Sequence, residues 1–379
     1  MPNRSLRVAW DNSLTRRNPT GSGVYANRLI RELMTKANVC LEVFQGWDPA
    51  QRKPGEFGSQ GIAARGVRML SGLAWSHAYF PSLLRRGKFD LLHSPAFLVP
   101  FLCPCPSVAT IHDVSFLIFP DHFERRWRTY LNHVMPVVLR LVSAVICVSE
   151  NTRQDLLRFY NVSPNKVHVV YDGVDHAVFH PGAQLDPQWA QTVGLRKDYI
   201  LHVGTLSKRK NIPTLLRAVA LLRAKGKFEN QQLVLAGPEL SVLVGGAEIH
   251  ESIRNLGLDD AVLLLGYVPD IQMPGLHAQA KLLVIPSIYE GFGLPVLESM
   301  ASGVPVIASD SSCLPEIGGN AVMLVPPHDE SAWAEAIADV LMNPSIAEEL
   351  RQKGLARAQQ FSWWRAGEET LAVYHAVAG

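Results

Sequence analysis

Neither sign of charge prevails in this chain. The 36 Lys and Arg residues against 34 Asp and Glu leave a net charge of +2. A field that weak argues against a nucleic-acid partner, and no acidic tail is present. Cysteine is scarce, with five residues in all: Cys40, Cys103, Cys105, Cys147 and Cys313. Only "CPC" is clustered, and it lacks the second half of a zinc ligand set. An odd, scattered count fits reduced and mostly structural thiols, hence a cytoplasmic protein, rather than a disulfide framework. Long apolar runs are missing too. The best, "HVMPVVLRLVSAVICVS", is cut by Arg140 and Ser143, so it falls short of the roughly 20 apolar residues of a spanning helix. No extended apolar segment precedes Asp11, so a secretory signal is not expected. Short-period repeats and low-complexity tracts are absent.

What remains is a chain of 379 residues, 47% apolar, with room for two ordinary domains. Short apolar runs alternate with helical patterns. "LRVAW" leads to "VYANRLIRELMTKA", followed by "LEVFQ", "FDLLHS", "SVATIHD", a helical stretch near Phe123–Leu141, "AVICVS" and "KVHVVYDGV". A second series begins at "YILHVGT" and continues through helix 211–224, "QLVLAG", a helix near 247–256, "AVLLLGYV", "KLLVIPS", helix 294–302, "PVIAS" and "AVMLVPP". Continuous apolar runs suit strands covered on both faces, so each series predicts a doubly wound α/β sheet. Between them "HPGAQLDPQWAQTVGLRKD" (180–198) is rich in turn formers and reads as a linker. The expected division is 1–185, 186–361 and a terminal helix over 362–379. That helix would bury Trp363, Ala366, Leu371 and Tyr374.

Ligands of doubly wound folds sit beyond the carboxyl ends of the strands, and the unusual residues fall there. After "LLVIPS" comes "YEGFGLPVLES", with Glu290 before and Glu298 after a glycine-proline break. Gly291 and Gly293 allow close approach of backbone amides, and a helix starting near Leu294–Pro295 adds positive potential, a combination suited to an anion. "VGTLSKRKN" sets Lys208, Arg209 and Lys210 at a helix start, where cations oppose the dipole unless an anion lies between. "TGSGVYANRLI" repeats the strand, glycine loop, helix pattern, and "TIHDVSF" places His112 and Asp113 after a strand. Taken one at a time, each has an ordinary explanation: a solvated acid, a basic turn, a structural histidine. The chain holds neither GxGxxG nor a Walker loop.

Taken together, these motifs resemble a GT-B glycosyltransferase of the retaining family 4, across essentially the whole chain. The most specific stretch is "PSIYEGFGLPVLESMASGVPVIASDSSCLPEIGG". The resemblance implies two Rossmann-like domains facing across a cleft, the first binding the acceptor and the second a nucleotide-sugar donor. It also implies a C-terminal helix that crosses back to the first domain. Lys210 would bind and stabilise the departing diphosphate. Glu290 would contact hydroxyls of the transferred sugar, and Glu298 the ribose. Gly291, Phe292, Gly293 and Leu294 would offer amides, and Tyr267 and Val268 in "GYVP" would contact the base. His112, supported by Asp113, would face the transferred sugar, while Gly21, Ser22 and Gly23 would border the phosphates and acceptor. Many relatives carry arginine where Thr205 stands here, which leaves Arg209 or Lys208 as the second cation.

On that basis the expected reaction is retaining, metal-independent hexosyl transfer with no cofactor, leaning to mannose or rhamnose. The expected acceptor is a sugar or lipid-linked sugar of surface-polysaccharide or glycolipid synthesis. A nucleotide-sugar epimerase and a non-catalytic sugar-nucleotide-binding protein are the competing readings. "RRWRTYLNHVMPVVLRLV" and "YFPSLLRRGK" mix basic, aromatic and apolar residues. Such helices suit the inner face of an anionic membrane, and equally a packed helix with a basic edge.

Overall fold

The computed structural model describes residues 5–15, 21–46, 74–238 and 246–379. The chain divides into two compact units. One gathers 1–118, 125–172 and 363–379, the other 119–124 and 173–362.

Six parallel strands form the sheet of the first unit: β1 (Leu6–Asp11), β2 (Val39–Phe44), β3 (Leu91–Ser94), β4 (Ser107–Ile111), β5 (Ala144–Cys147) and β6 (Val167–Val169), in the order β2-β1-β3-β4-β5-β6. Strands β3, β4 and β5 are buried at every position. That is why their sequences run apolar without alternation. The helices described around this sheet are α1 (Gly21–Met34), α2 (Phe80–Gly87), the short α3 (Ser115–Ile118), α4 (Arg125–Leu141) and α5 (Glu150–Phe159). Ser149 starts α5 as its cap, its Oγ accepting from the Thr152 amide at 3.1 Å.

The second unit holds β7 (Tyr199–Val203), β8 (Gln232–Ala236), β9 (Val262–Gly266), β10 (Leu282–Ile285), β11 (Val306–Ser309) and β12 (Met323–Val325), in the order β12-β11-β10-β7-β8-β9. All its strand pairs are parallel. Its helices are α6 (Pro187–Thr192), α7 (Ile212–Ala224), α8 (Gly246–Asn255), α9 (Met273–Ala278), α10 (Leu294–Ala301), α11 (Leu314–Gly318), α12 (Glu330–Met342) and α13 (Pro344–Ala358). The core draws Leu215, Val219 and Leu222 from α7 and Trp333 and Ile337 from α12 onto β7 and β8. Each such side chain is worth about 1.5–3 kcal/mol when fully buried. Strand order reverses between β7 and β10, which makes their carboxyl ends the switch point where doubly wound sheets take ligands.

The division falls at Asp172/Gly173, not at 185/186. Residues 180–198 are therefore part of the second unit rather than a linker. Part of this stretch builds α6, whose first turn holds Pro187 and whose cap, Asp186, accepts from the Gln188 amide at 2.9 Å. Residues 119–124 also join the second unit, and the helix expected near 123 begins at Arg125. At the other end Ser362 pairs with Val174 inside the second unit. The last helix, α14 (Trp363–Ala378), belongs to the first unit, where it packs on α1. It buries Trp363, Ala366, Thr370, Leu371 and Tyr374, a stripe at helical spacing.

Candidate active site

The switch point of the second unit is built by backbone before any charge appears. Gly204 follows β7 at φ 155°, and Gly237 follows β8 at φ 147°. A Cβ on Gly237 would lie 2.0 Å from the Gly204 carbonyl oxygen, and one on Gly204 would lie 3.0 Å from Lys210 Cε. Only glycine admits this approach, which lets the Lys210 stem lie along the turn. Lys208–Lys210 form a single tight turn, closed by Asn211 in the left-handed region at φ 55°. The Asn211 amide donates to the carbonyls of Pro286, at 3.1 Å, and Pro327, and accepts from Thr214 Oγ1 at 2.8 Å. The basic turn is thereby tied to the segments that follow β10 and β12.

The chain after β10 delivers Glu290 to this turn. The residue is 7% exposed, and both of its carboxylate oxygens face partners. One oxygen accepts from Lys210 Nζ and, at 2.7 Å, from Ser287 Oγ; the other lies 3.5 Å from Arg209 Nη1. Its amide donates to Ser312 Oγ at 2.9 Å, and the Cys313 thiol donates to its carbonyl at 3.2 Å. Burial alone would push the Glu290 pKa up. The charges of Lys210 and Arg209, with the hydrogen bonds from Lys210 and Ser287, outweigh it and hold the carboxyl at about 2. Burial lowers the Lys210 pKa, and the carboxylate opposes that shift. Near neutral pH the two form a buried ion pair. Removing one partner of such a pair costs about 3–5 kcal/mol.

Eight residues on, Glu298 sits in the second turn of α10. Gly293 caps that helix at φ 94°, and Pro295 occupies its first turn. Pro295 has no N–H and the Val296 amide donates to the Gly293 carbonyl at 3.0 Å, so the first turn offers the Leu294 amide and the positive potential of the helix end. Glu298 Oε2 lies 3.5 Å from Nε2 of His277, a buried residue of α9. Burial lowers the His277 pKa to about 3, so the ring is neutral. Phe292 points inward against Phe361, with centroids 6.1 Å apart.

The basic turn, Glu290 and the start of α10 are thus held together. Arg209 approaches Glu290, whereas Lys208 is exposed and Thr205 half-buried. Tyr267 and Val268 follow β9 at the edge of the sheet, the first 57% exposed and the second buried. Sequence reasoning missed Ser287, Asn211, His277 and Ser312. The serine directly after a strand and the histidine within an apolar helical segment were available signals. Ser312 comes from the β11 loop, and nothing local marks its contact with Glu290.

The remaining residues lie in the first unit. Gly21, Ser22 and Gly23 are not a loop before α1 but its first turn, and Thr20 falls outside the described residues. His112 follows β4 and donates from Nε2 to the Pro95 carbonyl at 2.8 Å. That bond fixes the N–H on Nε2 and leaves a lone pair on Nδ1. Burial lowers the His112 pKa. Asp113 bears on His112 through charge only: its Oδ1 instead accepts from the amide and hydroxyl of Ser115, at 3.0 and 2.6 Å, and starts α3. Beside them runs a buried chain of hydrogen bonds. Tyr25 Oη meets Thr110 Oγ1 at 2.9 Å, Thr110 meets His93 Nε2 at 2.8 Å, and His93 Nδ1 meets Tyr374 Oη of α14 at 2.5 Å.

Residues 19–178 match the family described as Glycosyltransferase Family 4, and residues 188–357 match Glycosyl transferases group 1. O-antigen chain mannosyltransferase B of Escherichia coli is 31% identical over 296 residues, covering 77% of this chain and 75% of that protein. MMP alpha-(1->4)-mannosyltransferase of Mycolicibacterium hassiacum is 29% identical over 368 residues, covering 92% and 81%. Among solved structures, sucrose-phosphate synthase from Thermosynechococcus elongatus has a TM-score of 0.77 at 21% identity over 98% of each chain. Anabaena HepE, in complex with UDP and glucose, has a TM-score of 0.74 at 18% identity, over 98% of this chain and 100% of that one. At such identities the structural likeness speaks to fold alone, which is GT-B.

Proposed function

The chain belongs to the family 4, group 1 glycosyltransferases and is a hexosyltransferase, and we propose that it moves mannose from a nucleotide-diphosphate donor to a sugar or lipid-linked sugar acceptor. The transfer retains anomeric configuration, needs no metal and serves cell-surface polysaccharide or glycolipid synthesis. Mannose is favoured over rhamnose because two relatives are named as mannosyltransferases.

The observation that carries this reading is the buried, ionised Lys210–Glu290 pair at the switch point. Cleavage of the bond between sugar C1 and the diphosphate oxygen sends its electron pair to the phosphate. Lys210, with Arg209 beside it and the amide opening α10, supplies positive charge where that negative charge develops. The carboxylate keeps Lys210 protonated despite its burial. Glu290 accepts from hydroxyls of the transferred sugar and Glu298 from the ribose. The acceptor oxygen forms the new bond to C1 on the face the phosphate leaves, and its proton passes to the departing phosphate oxygen. His112, through its Nδ1 lone pair, accepts from a hydroxyl of the transferred sugar.

A thermal-shift panel of UDP-, GDP-, dTDP- and ADP-sugars tests the donor. We expect one nucleotide to raise Tm and its mannose form to support transfer. Acceptor screening with that donor should then give a product with the donor's anomeric configuration, at a rate unaffected by EDTA. Epimerised sugar formed without acceptor, or an inverted product, would overturn the assignment.

Among the described residues no helix is long and apolar enough to cross a membrane. A peripheral contact through α4 is part of the proposal, because Trp127, Val137 and Leu141 are exposed on a helix that also exposes Arg125, Arg126 and Arg140. Flotation with anionic liposomes checks it, and protein left at the bottom of the gradient removes the contact.

A further inference from the structure

One buried histidine of the second unit has no part in the chemistry above. His277 lies on α9 with no exposed surface. Its Nδ1 is 2.7 Å from Ser299 Oγ, and its ring stands edge-on to Phe179 with centroids 5.6 Å apart. Its Nε2 lies 3.5 Å from Glu298 Oε2 and has no hydrogen-bond partner among the described residues. A buried polar atom without a partner is costly, and an apolar side chain would fill the same space without that cost.

The surroundings choose the tautomer. With the proton on Nδ1, the lone pair of Nε2 would face a carboxylate, which is repulsive. With the proton on Nε2, the Ser299 hydroxyl donates to Nδ1 and an N–H rather than a lone pair stands 3.5 Å from the Glu298 carboxylate. Ser299 and Phe179 clamp the ring, so the donor direction is fixed before any ligand arrives. Ser299 is the residue next to Glu298, so the clamp and its target move together on α10.

We propose that His277 is a positioning residue for the nucleoside of the donor. Its Nε2–H orients Glu298 so that the carboxylate can accept from two adjacent ribose hydroxyls. This rests on the reading of Glu298 as the ribose-binding acid. The role is not that of a packing histidine, whose loss would lower stability or slow all substrates alike.

The test is steady-state kinetics on the best donor and its 2′-deoxyribose counterpart. The proteins are the full-length wild type, Glu298→Ala, His277→Leu, His277→Asn and His277→Gln. Wild type should prefer the ribose donor in kcat/KM by roughly tenfold or more, the worth of a hydrogen bond to a charged group. Glu298→Ala should level the two donors. His277→Leu should raise KM for the ribose donor with little change in kcat, and move the preference toward that of Glu298→Ala. The side-chain amide of Gln reaches the Nε2 position, so His277→Gln should restore the preference, and His277→Asn, which reaches only the Nδ1 position, should not. Should Glu298→Ala keep the wild-type preference, the ribose reading itself fails. Should Glu298→Ala level the donors while His277→Leu keeps them apart, the positioning role alone is overturned. If His277→Leu does not fold, the Asn and Gln variants decide: equal preference in the two overturns the proposal.

Discussion

In the second unit the buried polar cluster is ionised, with Glu290 gripped by Lys210, Arg209 and Ser287, whereas in the first unit it is neutral, running Tyr25–Thr110–His93–Tyr374. Burial acts on both. In the first unit it prevails: it holds the His93 pKa at about 3, lowers that of His112 against the opposing Pro95 hydrogen bond and Asp113 charge, and raises that of Asp172. In the second, opposite charges at contact distance overcome it. The same doubly wound framework therefore presents fixed charge in one unit and neutral donors and acceptors in the other.

The sharpest way to break this contrast is to remove the charge. Lys210→Met should lower kcat on the order of 10²–10³-fold, the loss typical of one donor to a developing oxyanion. It should also lower Tm, because Glu290 is left buried with Ser287 and the more distant Arg209 as its remaining partners among those described. Adding Glu290→Gln should return much of the stability and none of the rate, measured by thermal melts and initial rates. Recovery of turnover in the double variant would mean that the pair is only structural.

The neutral cluster should answer in stability instead. His93→Leu leaves Tyr374 and Thr110 without their shared partner and should cost about 1–3 kcal/mol in denaturant unfolding. His112→Asn, by contrast, should slow transfer with little change in the unfolding midpoint. Acid reaches His93 and Glu290 in different windows. Folded His93 stays neutral down to about 3, whereas the unfolded chain takes up that proton near the ordinary value of 6.5. Stability should therefore fall as pH drops through that interval, and His93→Leu should flatten the slope by up to about 1.4 kcal/mol per pH unit. Glu290 has the same sign in a lower window: its contribution is present above 4.5 and lost as pH falls toward about 2. Chemical denaturation at stepped pH reads both. The smallest effect belongs to Lys208, which is exposed. Lys208→Ala should change the KM of the donor by no more than about fivefold, as a solvated charge does.

Much of the architecture was legible because it rests on local signals. Buried parallel strands read as unbroken apolar runs, and Gly293–Leu294–Pro295 marks a helix start whatever surrounds it. The sequence put the boundary near 185 and the chain changes unit at Asp172/Gly173, because turn-forming residues look the same in a linker and at the head of α6. The glycines at 21–23 suggested a loop, yet they form the first turn of α1, where helix context overrides single-residue preference.

By itself the sequence determined the two α/β series, the acids on either side of the break, the basic turn and the lone histidine after β4. These follow from period, turn chemistry and motif, which act over a few residues. The tertiary structure alone decided that Glu290 is clamped by Ser287 and a lysine eighty positions earlier, that Ser312 holds its amide, that His277 faces Glu298, and that Pro95 rather than Asp113 fixes His112. Those contacts depend on strand order and on how loops meet at a sheet edge. Distance along the chain carries no trace of either.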